Sequence, residues 1–248
     1  MSQYVFGAGA LWAVRNGGSG ISTPLRFAVL QEVTIDFART IKALFGEKNL
    51  PVALGGGTIK PTAKAKNARI FIKPYAELFF GQSFAAGQSL IAENEPGAVP
   101  DATAYTIEVE NMSTFVEDLG VLNAATGLPL TRVAATPGPS AAGQYSVADG
   151  VYTFNVADKG LPMRISYEYE ALTGQKLVIE NQMLGDIPTF QAWFRGLYQG
   201  KQFVLKFFNC ASEKLSIPSK LEDWTIPEFD FQMATNDADV LGELSAAE

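Results

Sequence analysis

The sequence predicts a mainly β protein, and three features of its pattern support this class. Residues 25–42 alternate apolar and polar side chains, residues 59–72 repeat the alternation, and residues 104–171 contain short apolar runs separated by dense turns. A period of two places successive side chains on opposite faces of a strand. Long strands with one apolar and one polar face favour a large antiparallel sheet that has water on one side.

The first two features predict a long extended hairpin. Its apolar core face in the first strand is formed by Val33, Ile35 and Phe37. Its polar face is formed by Glu32, Thr34 and Asp36. The second strand alternates apolar residues with Lys60, Lys64 and Lys66. Residues 44–57, which end in three consecutive glycines, are interpreted as the loop that joins the two strands.

A short helix is expected directly after the hairpin. Pro74 suits the first turn of a helix because its missing N–H has no partner there, and Gly81 is placed to end the helix. The helix predicted over residues 75–80 is too short to be stable alone, so its apolar side chains should pack under the sheet.

The middle of the chain predicts a separate small domain. Residues 95–100 have the composition of a linker, and the short strands that follow indicate a small immunoglobulin-like β-sandwich. We therefore expect an inserted immunoglobulin-like domain over residues 97–172, between the two parts of a larger domain, 1–96 and 173–248. The alternative is that this segment belongs to one larger sandwich.

The closing part of the chain predicts further strands. Residues 189–198 and 201–209 indicate two apolar strands joined at Gln199 and Gly200, with Phe190, Ala192 and Phe194 on one face of the first. A last strand over residues 224–232 contains Pro227, which cannot donate to a ladder and therefore suggests an edge or a bulge. A polar, acidic tail is expected to follow it.

The hairpin and the closing strands resemble major tail tube proteins of long-tailed bacteriophages. The resemblance lies in VTIDFARTIKALFGEKNLPVALGGGTIKPTAKAKNARI with the following LFFG, and in TFQAWFRGLYQGKQFVLKFFNC with KLEDWTIPEFDFQM. It implies a tail-tube-type β-sandwich or barrel whose copies form rings, about six-fold, that stack into a tube. An unrelated large β-sandwich with a long hairpin is the alternative.

The charge pattern suggests how copies would meet. The net charge of −7 argues against a domain that grips nucleic acid through its phosphates. Basic residues concentrate at 39–73 and acidic residues at 220–248, so a basic edge on one subunit could face an acidic tail on another. The basic edge is represented by Lys60, Lys64 and Lys66. The acidic tail is represented by Asp237, Asp239 and Glu243. Two solvated faces are the alternative.

Nothing in the sequence predicts catalysis, a metal or a cofactor. The chain has no histidine, which excludes the usual serine and cysteine triads and most zinc sites. Three carboxylate pairs, Glu117 with Asp118, Glu222 with Asp223, and Asp237 with Asp239, are interpreted as exposed turn residues. The single Cys210 has no partner for an internal disulfide, and no apolar run approaches the ~20 residues of a membrane span.

These observations favour a structural role. The resemblance implies a virion protein of a phage tail, made in the host cytoplasm, with Glu32, Thr34 and Asp36 facing a channel through which DNA passes without specific binding. Its partners would be further copies of itself, a tape-measure protein and a tail terminator, with no membrane anchor. A tail-terminator or baseplate ring protein and a carbohydrate-binding adhesin module are the alternatives, and an enzyme is not expected.

Overall fold

The protein is mainly β, as the alternation predicts. The computed structural model describes residues 4–17, 22–27 and 29–246. The chain divides into two compact units, of which the first comprises Met1–Phe84 with Ile179–Glu248 and the second Ala85–Val178. Each unit has its own apolar core.

Unit 1 is built on one eight-stranded antiparallel sheet. Its strands are β1 (Ala10–Arg15), β2 (Leu25–Phe27), β3 (Leu30–Phe45) and β4 (Pro51–Asn67), and, after unit 2, β12 (Thr189–Tyr198), β13 (Lys201–Ser216), β14 (Glu228–Ala234) and β15 (Gly242–Ala246). The strand order is β2-β1-β12-β13-β14-β4-β3, and β15 pairs with β13 beyond the end of β14.

The sheet of unit 1 curls into a partly closed barrel. Strands β2 and β3 lie at opposite edges of the strand order, yet Phe27 and Leu30 are only three residues apart in sequence. Three residues span at most about 10 Å, so the two edges must approach each other. Phe27 and Phe229 accordingly meet inside the barrel with their ring centroids 5.4 Å apart.

The prediction of one continuous strand over residues 25–42 is therefore wrong. It is two strands, β2 and β3, on opposite edges of the barrel. Between them Val29 has a positive φ of 52° and is 58 % exposed, so the apolar alternation is broken at this residue. Leu25 and Phe27 are buried on the β2 side of the break.

A short helical segment closes one end of the core. Ile72–Pro74 forms a helical turn that continues as a π-helix over Tyr75–Phe80, and Gly81 ends it in the left-handed conformation. Tyr75, Ala76 and Leu78 are buried. The carbonyl oxygen of Leu78 accepts a hydrogen bond of 2.8 Å from the Ser212 hydroxyl. The helix is thus packed under the sheet as expected, although its winding is π.

Two expectations about the closing strands are wrong. The last predicted strand begins only after Pro227, and β14 lies between β13 and β4 rather than at an edge. The expected acidic tail is instead a turn at residues 235–241 followed by β15, which pairs with β13.

Unit 2 consists of two small sheets. One has the order β5-β11-β7, from β5 (Ala85–Ala98), β7 (Phe115–Asn123) and β11 (Pro162–Lys176). The other has the order β6-β10-β9-β8, from β6 (Thr106–Glu108), β8 (Thr131–Arg132), β9 (Gln144–Ala148) and β10 (Val151–Phe154). Short 3₁₀ turns occur at Met112–Thr114 and Val156–Asp158. Most of the expected linker over residues 95–100 is the end of β5. The predicted domain boundary between residues 96 and 97 therefore falls inside a strand.

Unit 2 starts and ends at neighbouring positions. Ala85 at the start of β5 is the cross-strand partner of Lys176 at the end of β11. A Glu95 oxygen accepts a 2.5 Å hydrogen bond from the Tyr167 hydroxyl in the same pair of strands. The buried core of unit 2 contains Tyr152, Met163 and Tyr167.

Candidate functional site

The long hairpin formed by β3 and β4 is the most distinctive surface of unit 1. Its strands have 16 and 17 residues, and they are joined by a turn at residues 46–50. The prediction of a glycine-rich loop over residues 44–57 is wrong, because Gly55, Gly56 and Gly57 lie within β4. A Cβ atom on Gly57 would collide with the Thr40 side chain across the hairpin, so glycine is required there by close approach rather than by a turn.

Only the base of the hairpin belongs to the barrel. Strand β14 pairs with β4 from Lys66 to Thr62, and no described residue of β4 before Thr62 has a partner in β14. The predicted core-face residues Val33 and Ile35 are half-buried, pack against the barrel core and lie opposite Ala65 and Ala63.

The third predicted core-face residue lies at the rim of the core. Phe37 is 53 % exposed, and its ring centroid is 6.3 Å from that of Phe207. Next to it is an apolar groove of about 510 Å³, where the hairpin leaves the barrel beside the turn between β14 and β15. The groove is lined chiefly by Phe37, Ile59, Pro61, Met233 and Leu241.

Beyond this rim the hairpin is uncovered. We call residues 38–60 the distal hairpin, and every one of them is exposed. The face that continues the core face is mostly apolar, because cross-strand pairing places Ile41, Ala43 and Leu54 on it, with Arg39 as its one charged residue. Several large apolar side chains of the distal hairpin are each at least 45 % exposed: Ile41, Leu44, Phe45, Leu50, Val52, Leu54 and Ile59. Large exposed apolar surface marks interaction sites in soluble proteins.

The lysines of the hairpin lie on its polar face. Cross-strand pairing sets Glu32 opposite Lys66, and Thr34 opposite Lys64. Two further pairs lie along the same face: Asp36 with Thr62, and Ala38 with Lys60. The residues predicted to face a channel and the residues predicted to form a basic edge therefore share one surface, which we call the polar face.

Two of these lysines form ion pairs within the chain. The Lys66 Nζ atom is 2.6 Å from a Glu32 oxygen, and the Lys64 Nζ atom is 3.0 Å from a Glu228 oxygen. Glu228 also lies 3.9 Å from Lys66 and 4.0 Å from Lys214. Glu228 therefore stands at the centre of a group of three lysines.

The ion pairs hold the carboxylates in their charged form. The hydrogen bond and charge of Lys66 lower the pKa of Glu32, and the hydrogen bond and charge of Lys64 lower the pKa of Glu228. The hydrogen bond to Glu228 raises the pKa of Lys64. Because these groups are solvent-exposed, each pair adds little to the stability of the fold.

The acids of the expected tail are spread over two elements. Asp237 and Asp239 lie in the exposed turn after β14, where the Asn236 side chain accepts hydrogen bonds from the backbone N–H groups of Ala238 and Val240. Glu243 lies in β15 opposite Lys206. They do not form one cluster.

One acid expected in an exposed turn is buried. The carboxylate of Asp118 lies in strand β7 and accepts hydrogen bonds from Tyr145 at 2.7 Å, from Tyr152 at 2.9 Å and from the Gly120 N–H at 3.0 Å. Arg132 lies 3.6 Å from it. Burial, together with the hydrogen bond to Asp118, raises the pKa of both tyrosines. Asp118 belongs to the β5-β11-β7 sheet, whereas Tyr145 and Tyr152 belong to β9 and β10 of the other sheet, so this network joins the two sheets of unit 2.

We searched the described residues for a metal-binding group and a reactive thiol. They contain no group of three or more acidic, cysteine or histidine side chains placed to hold a metal. Cys210 is buried, and burial raises the pKa of its thiol to about 12, so the nucleophilic thiolate is disfavoured. Within the part of the chain that the structure describes, no helix is long and apolar enough to cross a membrane.

Sequence reasoning missed two exposed apolar segments at the end of the barrel opposite the hairpin tip. Residues 179–188 lead into β12, and residues 217–227 join β13 to β14. The first contains Met183, 81 % exposed, and Leu184, fully exposed, and the second contains Leu221, fully exposed, and Trp224, 86 % exposed. The signal was present in the sequence as large apolar residues among turn formers.

In comparisons with protein-family models and with curated proteins, the chain matches none.

Proposed function

We propose that the protein is a structural subunit that assembles with copies of itself through the long hairpin, as the rings of a phage tail tube do. The observation that carries the proposal is the distal hairpin, which leaves the barrel core and exposes apolar side chains along the face that would otherwise be buried. A lone two-stranded hairpin with such a face is marginally stable in water. Contact with a second copy would cover it.

The unpaired edges of the hairpin also favour self-association. Strand β3 is the last in the strand order, and β4 has no partner in β14 before Thr62. Long exposed edges pair with other chains unless they are covered, and closure into a ring removes them. On this proposal the fold is of the tail-tube type, and the rings are about six-fold and stack.

The other parts of the chain have roles consistent with a tube. The polar face would line the channel, with DNA as a passing molecule rather than a bound one. Unit 2 would be an immunoglobulin-like insertion on the outside of the tube, because its core is its own and its two ends are adjacent. The tape-measure protein and the tail terminator are the expected partners within a virion.

Electron microscopy of the purified protein, combined with sedimentation over a range of concentrations, tests the proposal. Tubes built of stacked rings are expected. Single rings that never stack would favour a terminator or baseplate role. A protein that stays monomeric at every concentration would refute self-assembly.

A further inference from the structure

The net charge of the chain lies entirely in unit 2. Unit 1 contains 15 acidic and 15 basic residues, so its net charge is zero. Unit 2 contains eleven acidic and four basic residues, which gives the −7 of the whole chain. A large net charge of one sign keeps protein surfaces apart. The charge of unit 2 therefore indicates a role that unit 1 does not share.

Three of these acids belong to the β5-β11-β7 sheet, and we call Glu93, Glu117 and Glu168 the sheet acids. Glu168 of β11 is the cross-strand partner of Glu117 in β7, and Glu93 is exposed in a bulge of β5. The two ion pairs formed by the described residues of unit 2 involve other acids, Asp118 and Glu170. Like charges directly opposite each other weaken a sheet. A sheet that has them against its own stability points to a role outside the fold.

Both edges of this sheet are open over most of their length. Strand β5, 14 residues long, and strand β7 each have β11 as their only partner among the described strands, apart from a single bridge at Leu122. Ile91 of β5 is 67 % exposed, and Val116 and Leu119, each at a register shift of β7, are 48 % and 51 % exposed. Open edges with apolar side chains pair with other chains unless charges or bulges prevent it.

Assembly brings many copies of these edges together. On the proposed function every copy displays unit 2 on the outside of the tube, so two tubes that lie side by side present rows of open edges. Weak contacts that are linked in this way reinforce each other, and the affinity of the whole row exceeds that of one contact by orders of magnitude. A repulsion at each copy is then needed to keep the tubes separate.

We propose that the sheet acids keep assembled tubes apart by protecting the open edges of β5 and β7 from pairing with the same edges of other copies. Two approaching edges bring the same carboxylates together, so their charges repel at short range. The bulges of β5 and β7 add to this effect, because they bend the edges away from the flat geometry that pairing requires. The inference rests on the proposed function, and it assigns unit 2 a function of its own.

Neutralising the sheet acids tests the inference. The neutral variant combines Glu93→Gln, Glu117→Gln and Glu168→Gln, which remove the charge with little change of shape. At about 0.15 M salt, charges act over only about 8 Å, so the assay responds to charges near the contact. The protein concentration at which tubes associate side by side should fall by about tenfold or more, because every copy contributes to the contact. Light scattering measures the association, and electron microscopy shows whether the tubes lie in parallel.

A matched control removes the same charge elsewhere in unit 2. The control variant combines Asp101→Asn, Glu108→Gln and Asp149→Asn, three exposed positions outside the β5-β11-β7 sheet. Its tubes should stay separate, as wild-type tubes do.

A change of sign distinguishes repulsion between copies from a special role of carboxylates. In a variant with Glu93→Lys, Glu117→Lys and Glu168→Lys like charges again meet, so its tubes should stay separate. Mixed with wild-type tubes they should associate, because opposite charges then meet across the contact. Leu119→Cys in the neutral variant locates the contact, while Cys210 stays buried. A short bis-maleimide should link copies through this thiol only at concentrations at which the tubes associate.

The outcomes separate this inference from the proposed function. Association of the neutral variant, together with separate tubes of the control and lysine variants, supports the inference. If wild-type tubes form but the neutral variant stays separate, or the control or lysine variant associates equally, only this inference falls. If wild-type protein forms no tubes, the proposed function falls and this inference falls with it. Circular dichroism confirms that each variant is folded before its association is measured.

Discussion

Two isoleucines on one face of β3 provide a sharp test of where the barrel ends. Ile35 is half-buried against the core opposite Ala63, whereas Ile41, six residues further along the same face, is 66 % exposed. Full burial of an isoleucine side chain is worth about 1.5–3 kcal/mol, so roughly half of this is at stake at Ile35. A carboxylate that loses water there adds about 1–3 kcal/mol. Ile35→Asp should therefore lower the free energy of unfolding by about 3 kcal/mol.

The matched change Ile41→Asp should behave differently. Its side chain is already mostly in water, so the free energy of unfolding should change by less than about 1 kcal/mol, while assembly is lost because a charge enters the apolar hairpin face. Urea unfolding followed by tryptophan fluorescence at low protein concentration measures the difference. All three tryptophans, Trp12, Trp193 and Trp224, belong to unit 1, so the signal reports this unit alone. Equal destabilisation by both changes would show that the distal hairpin is packed, and an unaffected Ile35→Asp variant would overturn the core-face assignment.

Three further predictions concern unit 2. Asp118→Ala leaves three hydrogen-bond donors without their acceptor, and should lower the free energy of unfolding of unit 2 by about 3 kcal/mol or more. The control Glu117→Ala, at an exposed neighbouring position, should change that free energy by less than about 0.5 kcal/mol, and calorimetry measures both. Because the pKa values of Tyr145 and Tyr152 are raised in the folded state, their contribution to stability is complete below the ordinary tyrosine pKa of about 10 and is lost as the pH rises above it. The midpoint temperature of unit 2 should therefore fall between about pH 10 and 11.5, and a flat profile would contradict the network. Replacing residues 85–178 by a short Gly/Ser linker should leave unit 1 folded and able to assemble with an unchanged bore, because Ala85 and Lys176 are neighbours, and aggregation of this variant would show that unit 2 belongs to the wall.

The sequence predicted strands well where a face is buried and badly where it is not. The positions of Val33, Ile35, Phe190 and Ala192 against the core follow directly from a period of two. The break between β2 and β3 has no such signal, because Val29 continues the alternation and a β-branched residue seldom adopts a positive φ. Only the closure of the sheet requires the turn there.

Composition misled where tertiary contacts decide the structure. Three glycines in a row suggest a loop, yet the facing strand occupies the space that a side chain would need at Gly57. The acidic composition of residues 235–246 suggests a tail, yet β13 has a free edge beyond β14 that β15 fills. Asp118 follows the exposed Glu117 in sequence, but the alternation of side chains along β7 points it inward. There its carboxylate accepts hydrogen bonds from two tyrosines of other strands. None of these partners is local in sequence.

The charge balance of the polar face leads to a final prediction. Its four acids Glu32, Asp36, Glu228 and Asp230 stand beside four lysines, Lys60, Lys64, Lys66 and Lys214. Three of these lysines, Lys64, Lys66 and Lys214, lie within 4.0 Å of a carboxylate. On the proposed function, passing DNA would therefore meet mostly lysines that are already paired, and would find little free positive charge to hold its phosphates. Glu228 matters most because it lies within 4.0 Å of three lysines.

Glu228→Gln removes this carboxylate and should leave Lys64 and Lys214 unpaired. Assembled protein with this change should retain double-stranded DNA fragments at low salt, and the retention should fall steeply as salt is raised, because bound phosphates release counterions. Glu213→Gln makes the same change of net charge at an exposed position one residue from Lys214, and serves as the control. A filter-binding assay across salt concentrations measures the difference. Equal behaviour of the two variants would mean that the polar face does not meet DNA, and the lining would have to be sought on another surface of the barrel.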